Sequence, residues 1–344
     1  MTFSPTTTGT QAGSIAITDN AGGSPHTISL LGTGAAPTFA ISGVISPATS
    51  GNGATVALRG TVPVLVRGAH GSGSGGSNSA TVTFSAPSAP GNTIVVFVRF
   101  GGTTITSVTD NQPGGSNAYG SVLGRTLWGS AGQGTVDRYA QVFVAKNITG
   151  GSTLAVTVHL AGNSTRAIYM TALEYSGVDQ VNPVNATAFG TGTAGTNGAP
   201  LTANLTTTVS NAKLVATAWD SNESYTSTGN GSGYTTESSA AIPSINGGSG
   251  WANLTEDRTA AAAGTWNATA SSSPGVIDWA IQLIALAPAV VTVTADANGN
   301  YGFGGLANGS YAITPSKIGV AFGPTSQSVT ISGANVPGIN FTAQ

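Results

Sequence analysis

The stretch "TADANGNYGFGGLANGSYAI", residues 294–313, decides the fold. Asn298-Gly299 and Asn308-Gly309 are turn dipeptides, because asparagine and glycine tolerate the backbone angles that tight turns demand. Tyr301 and Phe303, then Tyr311 and Ile313, alternate with smaller residues, the period-2 pattern of a half-buried strand. The stretch therefore reads as a β-hairpin pair that begins in mid-fold. A sandwich needs opening strands as well, and the residues just upstream, "DWAIQLIALAPAV" (278–290), close a different apolar run.

The opening strands stand about 230 residues earlier, in "FAISGVISPATSGNGATVALRG" (39–60). Phe39 and Ile41 mark one strand there and Val56 and Leu58 a second, with a turn region between them. Joined to residues 291–343, this segment resembles the transthyretin-like, carboxypeptidase-regulatory-like module. That module reads isGxIs…gaxVxLsG and runs directly into xVTaDxxGxYxFxxLxxGxYxItPs. Tyr301, Phe303, Leu306, Tyr311 and Ile313 match its core positions, and Phe322, Val329, Ile331, Ile339 and Phe341 its later strands. The resemblance implies one seven-strand sandwich, residues 38–61 plus 289–344, interrupted by an inserted domain at 62–288. Insertion is tolerated at an exposed loop when the inserted ends lie close together.

Residues 1–37 form a third piece. Ile15 and Ile17 alternate with Ala16 and Thr18, the turn "DNAGGSP" follows, and Ile28, Leu30 and Leu31 precede "GTG". Phe3, Pro5, Gly9, Gly13, Ile17, Asn20, Leu30, Gly32 and Gly34 fit a pattern like FxPxxxGxxxGxxxIxxN…L.G.G. The piece resembles the closing strands of hydin-type immunoglobulin-like modules of large bacterial surface proteins, and covers only the last third of that fold. A lone hairpin is marginal in water and leaves strand edges open. This one must pack on the rest of the chain, on a missing N-terminal part, or on another molecule.

Inside the insert, "SATVTFSAP", "GNTIVVFVRF", "RYAQVFVAKNI", "STLAVTVHLAG", "AIYMTALEYSGV", "AKLVATAWDS" and "VIDWAIQLIALAP" are strand candidates separated by Gly/Asn/Pro turns. In the last, Ile277, Trp279, Ile281 and Leu283 share one face, and Asp278, Ala280 and Gln282 the other. The expectation is one jelly-roll β-sandwich of eight to ten strands, resembling the lectin-like domains found beside immunoglobulin-like modules in secreted bacterial proteins. The fold class expected is thus all-β: an immunoglobulin/transthyretin-like β-sandwich, an inserted jelly roll, and an N-terminal partial hairpin.

Composition bounds the chemistry. The chain has 344 residues, 50 of them glycine, and only 6% carry charge, against about 25% in ordinary globular proteins. The net charge is −2 and the 10 basic residues are scattered, so there is no footprint for nucleic acid. No apolar run approaches the ~18 residues that span a bilayer. The opening "TFSPTTTGT" has neither the basic start nor the apolar core of a secretory leader, so a leader was removed or the numbering starts inside a longer gene. Cysteine is absent, which excludes disulfides, thiolate metal sites and cysteine nucleophiles.

Catalysis would need a base with a nucleophile, or two facing carboxylates. His26, His70 and His159 stand in three separate segments without metal-binding spacing. Glu256, Asp257 and Arg258 cluster in "LTEDRTAAAAGTW", and Asp220 and Glu223 in "WDSNESY". Glu174 sits among apolar residues, and Arg258 or Arg166 is its expected partner, since a buried carboxylate needs one. An enzyme is not expected. Asp110, Asn111 and Asn117, like Asp296, Asn298 and Asn300, offer oxygens that suit calcium but are also ordinary turn residues. Tyr225, Tyr234 and Trp251, in a loop-rich region, are candidate glycan contacts. The 10 Asn-x-Ser/Thr sequons, Asn147, Asn163, Asn204, Asn253 and Asn308 among them, follow from composition. The expected function is an extracellular or cell-surface structural subunit of a homopolymeric filament. It would assemble by strand complementation through Phe3, Ile15, Ile17, Ile28 and Leu30, with itself as partner. A carbohydrate-binding adhesin is the alternative.

Overall fold

In a computed structural model, residues 9–34, 37–128, 138–193, 200–220, 232–236, 253–271 and 278–344 are described. The chain begins with β1 (Gly9–Ile17) and β2 (His26–Gly34), then β3 (Phe39–Ser46), one helical turn α1 (Ala48–Gly51) and β4 (Thr55–Arg59). Eight strands follow: β5 (Val64–Gly73), β6 (Ser79–Thr83), β7 (Thr93–Gly101), β8 (Ile105–Asp110), β9 (Tyr119–Trp128), β10 (Arg138–Ala145), β11 (Ala155–Leu160) and β12 (Ile168–Ser176). Next come β13 (Val184–Thr193), β14 (Pro200–Thr207), β15 (Ala212–Asp220), β16 (Thr235–Thr236), β17 (Asn253–Ala260), β18 (Gly264–Ser271) and β19 (Asp278–Leu286). The chain closes with β20 (Val290–Thr294), β21 (Asn300–Leu306), β22 (Gly309–Ser316), β23 (Phe322–Gly323), β24 (Gln327–Ile331) and β25 (Phe341–Ala343). The protein is an all-β chain with one short helix among its described residues. It divides into two compact units, Met1–Leu58 with Val291–Gln344, and Arg59–Val290.

In the first unit, sheets β20-β4-β22-β24 and β21-β3-β25-β23 enclose one core. Ile41, Ile45, Val56, Leu58, Tyr301, Phe303, Tyr311, Ile313 and Phe341 fill it. Strand β21 pairs antiparallel with β3, Asn300 opposite Val44 and Phe303 opposite Ile41. The segment 335–340 zips onto β3 as well. Val336 exchanges backbone hydrogen bonds with Ala40 and Ser42, and Asn335 and Asn340 accept from Ala40 and Val44 N–H at 2.8 and 2.9 Å. The approach is so close that a Cβ at Gly43 would stand 1.7 Å from the Ile339 carbonyl oxygen, so only glycine fits.

The 294–313 stretch is not the hairpin its turn dipeptides suggest. Strands β20 and β22 lie in one sheet and β21 in the other, so each turn carries the chain across the sandwich. The Asp296 carboxylate holds the first arch, accepting from the Asn298 and Asn300 N–H groups at 2.9 and 2.8 Å and the Asn300 side-chain amide at 3.1 Å. Those hydrogen bonds keep its carboxyl below the usual range. The aromatic residues on either side then enter the same core from opposite sheets.

The second unit differs from the single jelly roll of eight to ten strands expected for 62–288: it contains two sandwiches in tandem. The first faces sheet β5-β12-β7-β10-β9 against β6-β11-β8, and the second faces β13-β19-β15-β17-β16 against β14-β18. Numbered within the first half the order is first-eighth-third-sixth-fifth over second-seventh-fourth, and the second half repeats it when its seven strands are counted with the fourth place left empty. The fourth strand, β8, has no counterpart among the described residues of the second half. Each sandwich has its own core, Val96, Phe100, Val156 and Met170 in one and Leu205, Leu214, Ile281 and Leu283 in the other. A third core joins the outer faces of the two five-stranded sheets, through Val95, Phe97, Trp128, Leu173, Trp219 and Ile284. The middle strands are therefore buried on both faces, and all nine residues of β7 are buried. The Gly60 N–H donates to the Ala289 carbonyl at 2.7 Å, so this unit begins and ends at neighbouring points.

Candidate functional site

The surface that stands apart is the hairpin β1–β2. Its nine pairs run without a register shift from Gly9–Gly34 to Ile17–His26. The turn is closed by local polar groups. Asp19 N–H donates to Ser24 Oγ at 2.9 Å, Ala21 N–H to Asp19 Oδ1 at 3.0 Å, and Gly23 takes the left-handed backbone angle φ +90. Ile15 stands opposite Ile28 and Gly13 opposite Leu30. By strand alternation Ile15, Ile17, Ile28 and Leu30 share one face, while Ala12, Ser14, Ala16, Thr27, Ser29 and the exposed Leu31 share the other.

That apolar face has no cover among the described residues. None of residues 11–32 is buried, and none belongs to a hydrophobic core. Ile17 and Ile28 are 45% and 49% exposed. Covering their exposed halves is worth about 1 kcal/mol each. Neither outer edge pairs with a further strand among the described residues. Phe3, the fifth residue of the expected interface, lies outside the described residues.

The other candidates fall to structural roles. His70 is in β5, with Nδ1 2.9 Å from Thr171 Oγ1, and burial pushes its pKa down to about 4. His159 is in β11, with Nε2 2.9 Å from Thr109 Oγ1, and exposed His26 lies 3.5 Å from Asp19. The Glu174 carboxylate is fully buried, but its partner is neither Arg258 nor Arg166. Arg67 Nε lies 2.9 Å from Oε2, while Oε1 accepts from Asn92 Nδ2 at 2.6 Å and Ala89 N–H at 3.0 Å. Arg67 is on the strand beside β12, which sequence distance hid.

The triplet Glu256, Asp257 and Arg258 is split by the strand that carries it. Glu256 and Arg258 share the face of Leu254, inside the second sandwich, and Asp257 turns the opposite way to Lys213 Nζ at 3.1 Å and the Tyr175 hydroxyl at 3.4 Å. Glu174 belongs to the first sandwich, so it does not face Glu256. Glu223 lies outside the described residues, as does the side chain of Asp220. Tyr234 is only 7% exposed and packs in the second core, with Arg258 over its ring at 5.9 Å. Burial, reinforced by Glu256, raises its hydroxyl pKa above the ordinary value. Its ring cannot serve as an open sugar platform, and Tyr225 and Trp251 lie outside the described residues.

The calcium candidates are likewise committed. Asp110 Oδ1 accepts from Gln112 and Asn117 N–H at 3.1 Å each, and Oδ2 from the Asn117 amide at 2.7 Å and the Tyr119 hydroxyl at 2.8 Å. Asn111 and Asn117 accept from Ala155 and Thr149 N–H at 2.7 and 2.9 Å. Hydrogens aimed at these oxygens repel a cation, so the loop does not fit calcium. Among the described residues no three His, Asp or Glu side chains converge as a metal cage requires. No helix among them is long and apolar enough to cross a membrane. Comparison with protein-family models, curated proteins and solved structures finds no match to this chain.

Proposed function

We propose that the protein is an extracellular structural subunit, one module of a surface filament or fibre, that associates with further copies through its N-terminal hairpin. The observation that carries this reading is the gathering of Ile15, Ile17, Ile28 and Leu30 on one hairpin face that no core among the described residues takes up. Neither edge of the hairpin is joined by a further strand among the described residues, which suits it to strand addition through main-chain hydrogen bonds. A contact in which one copy's hairpin meets a different surface of the next does not close on itself and propagates as a fibre. With 6% charged residues and a net charge of −2, copies repel one another weakly.

In this reading the split sandwich is a transthyretin-like spacer, and each half of the insert is a jelly roll. The shared strand order of the halves supports the latter. The extracellular placement rests on the resemblance to bacterial surface modules and on the Thr-, Ser- and Asn-rich composition. Sedimentation velocity over rising concentration tests the function. The unchanged chain is expected to form larger species that micrographs show as linear, and Ile28→Lys to remain monomeric. Identical sedimentation of the two would overturn it.

A further inference from the structure

Association through a hairpin requires an acceptor, and the first unit carries one five-residue edge strand with no buried residue. Strand β20 is the outermost strand of the sheet β20-β4-β22-β24. Its sequence, Val290-Val291-Thr292-Val293-Thr294, is β-branched at every position and holds no charge and no proline. None of its residues is buried, and Val291 is 53% exposed. Natural sheets usually blunt such edges with lysine, proline or a bulge. Two other edges are blunted: β9 bears Arg125 and two register shifts against β10, and β21 bears glycines and a shift against β3. Strand β24, the opposite edge of the same sheet as β20, is uncharged too but buries Val329 and Ile331.

The orientation of the open edge follows from two hydrogen bonds. The Ala295 N–H reaches the Ala54 carbonyl at 2.9 Å, and the Ala289 carbonyl receives the Gly60 N–H at 2.7 Å. Odd-numbered residues of β20 therefore direct their backbone groups inward to β4. Those of Thr292 and Thr294 point outward, where no further strand lies among the described residues. Side chains alternate as well. Val293 packs against the sandwich core, and Val291, two residues away on the same face, extends past its rim.

We infer that β20 is the acceptor edge for the hairpin of a second copy of this chain. The inference rests on the assembly reading above and names its other half. The hairpin matches the edge in three respects. Its apolar residues are spaced two apart, Ile15 with Ile17 and Ile28 with Leu30, as are Val291 and Val293. A strand added beside β20 thus continues the inner face of the sandwich instead of flipping it outward. Neither β1 nor β2 contains Asp, Glu, Lys or Arg, so strand meets strand without opposed charge. Each has an outer edge that no further strand joins among the described residues. The product is a six-stranded sheet spanning two molecules, with the hairpin as its last two strands.

The test uses three full-length chains in sedimentation velocity: the unchanged one, Thr292→Pro, and the double variant Ile15→Lys/Ile28→Lys. Proline is tolerated on an edge strand where its missing N–H faced solvent, so Thr292→Pro is expected to fold while losing the outward donor. Far-ultraviolet circular dichroism and the melting midpoint check this, and Val291→Lys replaces it if the fold suffers. Each variant alone is expected to lose all species above monomer. Mixed, they are expected to give a one-to-one dimer and nothing larger, because one keeps the hairpin and the other keeps the edge. Loss of association in the double variant but not in Thr292→Pro or Val291→Lys would overturn the acceptor edge and leave the hairpin reading standing. Unaltered association in every variant, or a monomeric unchanged chain at ~100 µM, a concentration well above the micromolar range of specific contacts, would overturn both.

Discussion

Two antiparallel pairs of the first unit look alike in sequence and fare differently in structure. The pair β1–β2 carries Ile15, Ile17, Ile28 and Leu30 on one face, and β3–β21 carries Ile41, Ile45, Tyr301 and Phe303. Ile41, Tyr301 and Phe303 are 0%, 6% and 4% exposed, whereas Ile17 and Ile28 are 45% and 49% exposed. Alternation declares that a strand has an inner face and is silent about what covers it. For β3 the cover comes from the opposite end of the chain. For β1–β2 nothing among the described residues supplies it, and that contrast is the argument for a second molecule.

The same kind of substitution should separate the two pairs sharply. Ile41→Ala, which empties a fully buried site, is expected to cost about 2–5 kcal/mol in denaturant unfolding. A cost below about 1 kcal/mol would mean that the split sandwich is not the packed reference it is taken to be.

The histidines extend the comparison to pH. Exposed His26 of the hairpin sits beside Asp19, while His70 of the insert is half-buried, and desolvation lowers its pKa from 6.5 to about 4. Between those values the unfolded chain binds the proton that the folded chain refuses. The His70 contribution is therefore fully present above pH ~6.5 and is lost as pH falls toward ~4, by up to about 3 kcal/mol. Unfolding curves of the unchanged chain and His70→Gln should converge as pH drops through that window. Parallel curves would contradict the desolvation of His70.

The smallest effect belongs to the hairpin itself. Ile28→Ala, in monomer at low concentration, is expected to change stability by less than about 0.5 kcal/mol, since half its side chain is already in water. A loss comparable to that at Ile41 would show that this chain covers the hairpin by itself.

Much of the strand content was legible because its strongest signals are local. All seven strings read as strands in the insert contain one, and the resemblance of 39–60 and 291–343 to two halves of one module set the expectation that they fold together, without naming the pairing of β3 with β21. The second sandwich was not legible because its outer strands, β13, β14 and β18, are built from Thr, Ala, Asn and Gly without aliphatic runs. The runs that stood out, β7, β12 and β19, are those buried on both faces by the back-to-back sheets. Asn298-Gly299 was misleading for a related reason: a turn dipeptide sets a local bend, and the distant strands β3 and β4 decide whether it closes a hairpin or an arch. The side-chain partners were the least legible. Arg67 reaches Glu174 only because β5 lies beside β12. Of the expected interface, the facing of Ile15, Ile17, Ile28 and Leu30 follows from alternation alone, while the edge at β20 needed the sheet order.

Hydrogen exchange of the full chain at low and high concentration tests the central claim most directly. Amides of β1 and β2 should exchange quickly in dilute solution and gain protection as concentration rises, while those of β3 and β21 stay protected throughout. Hairpin protection that is the same at every concentration would contradict the claim that its apolar face is kept for another copy.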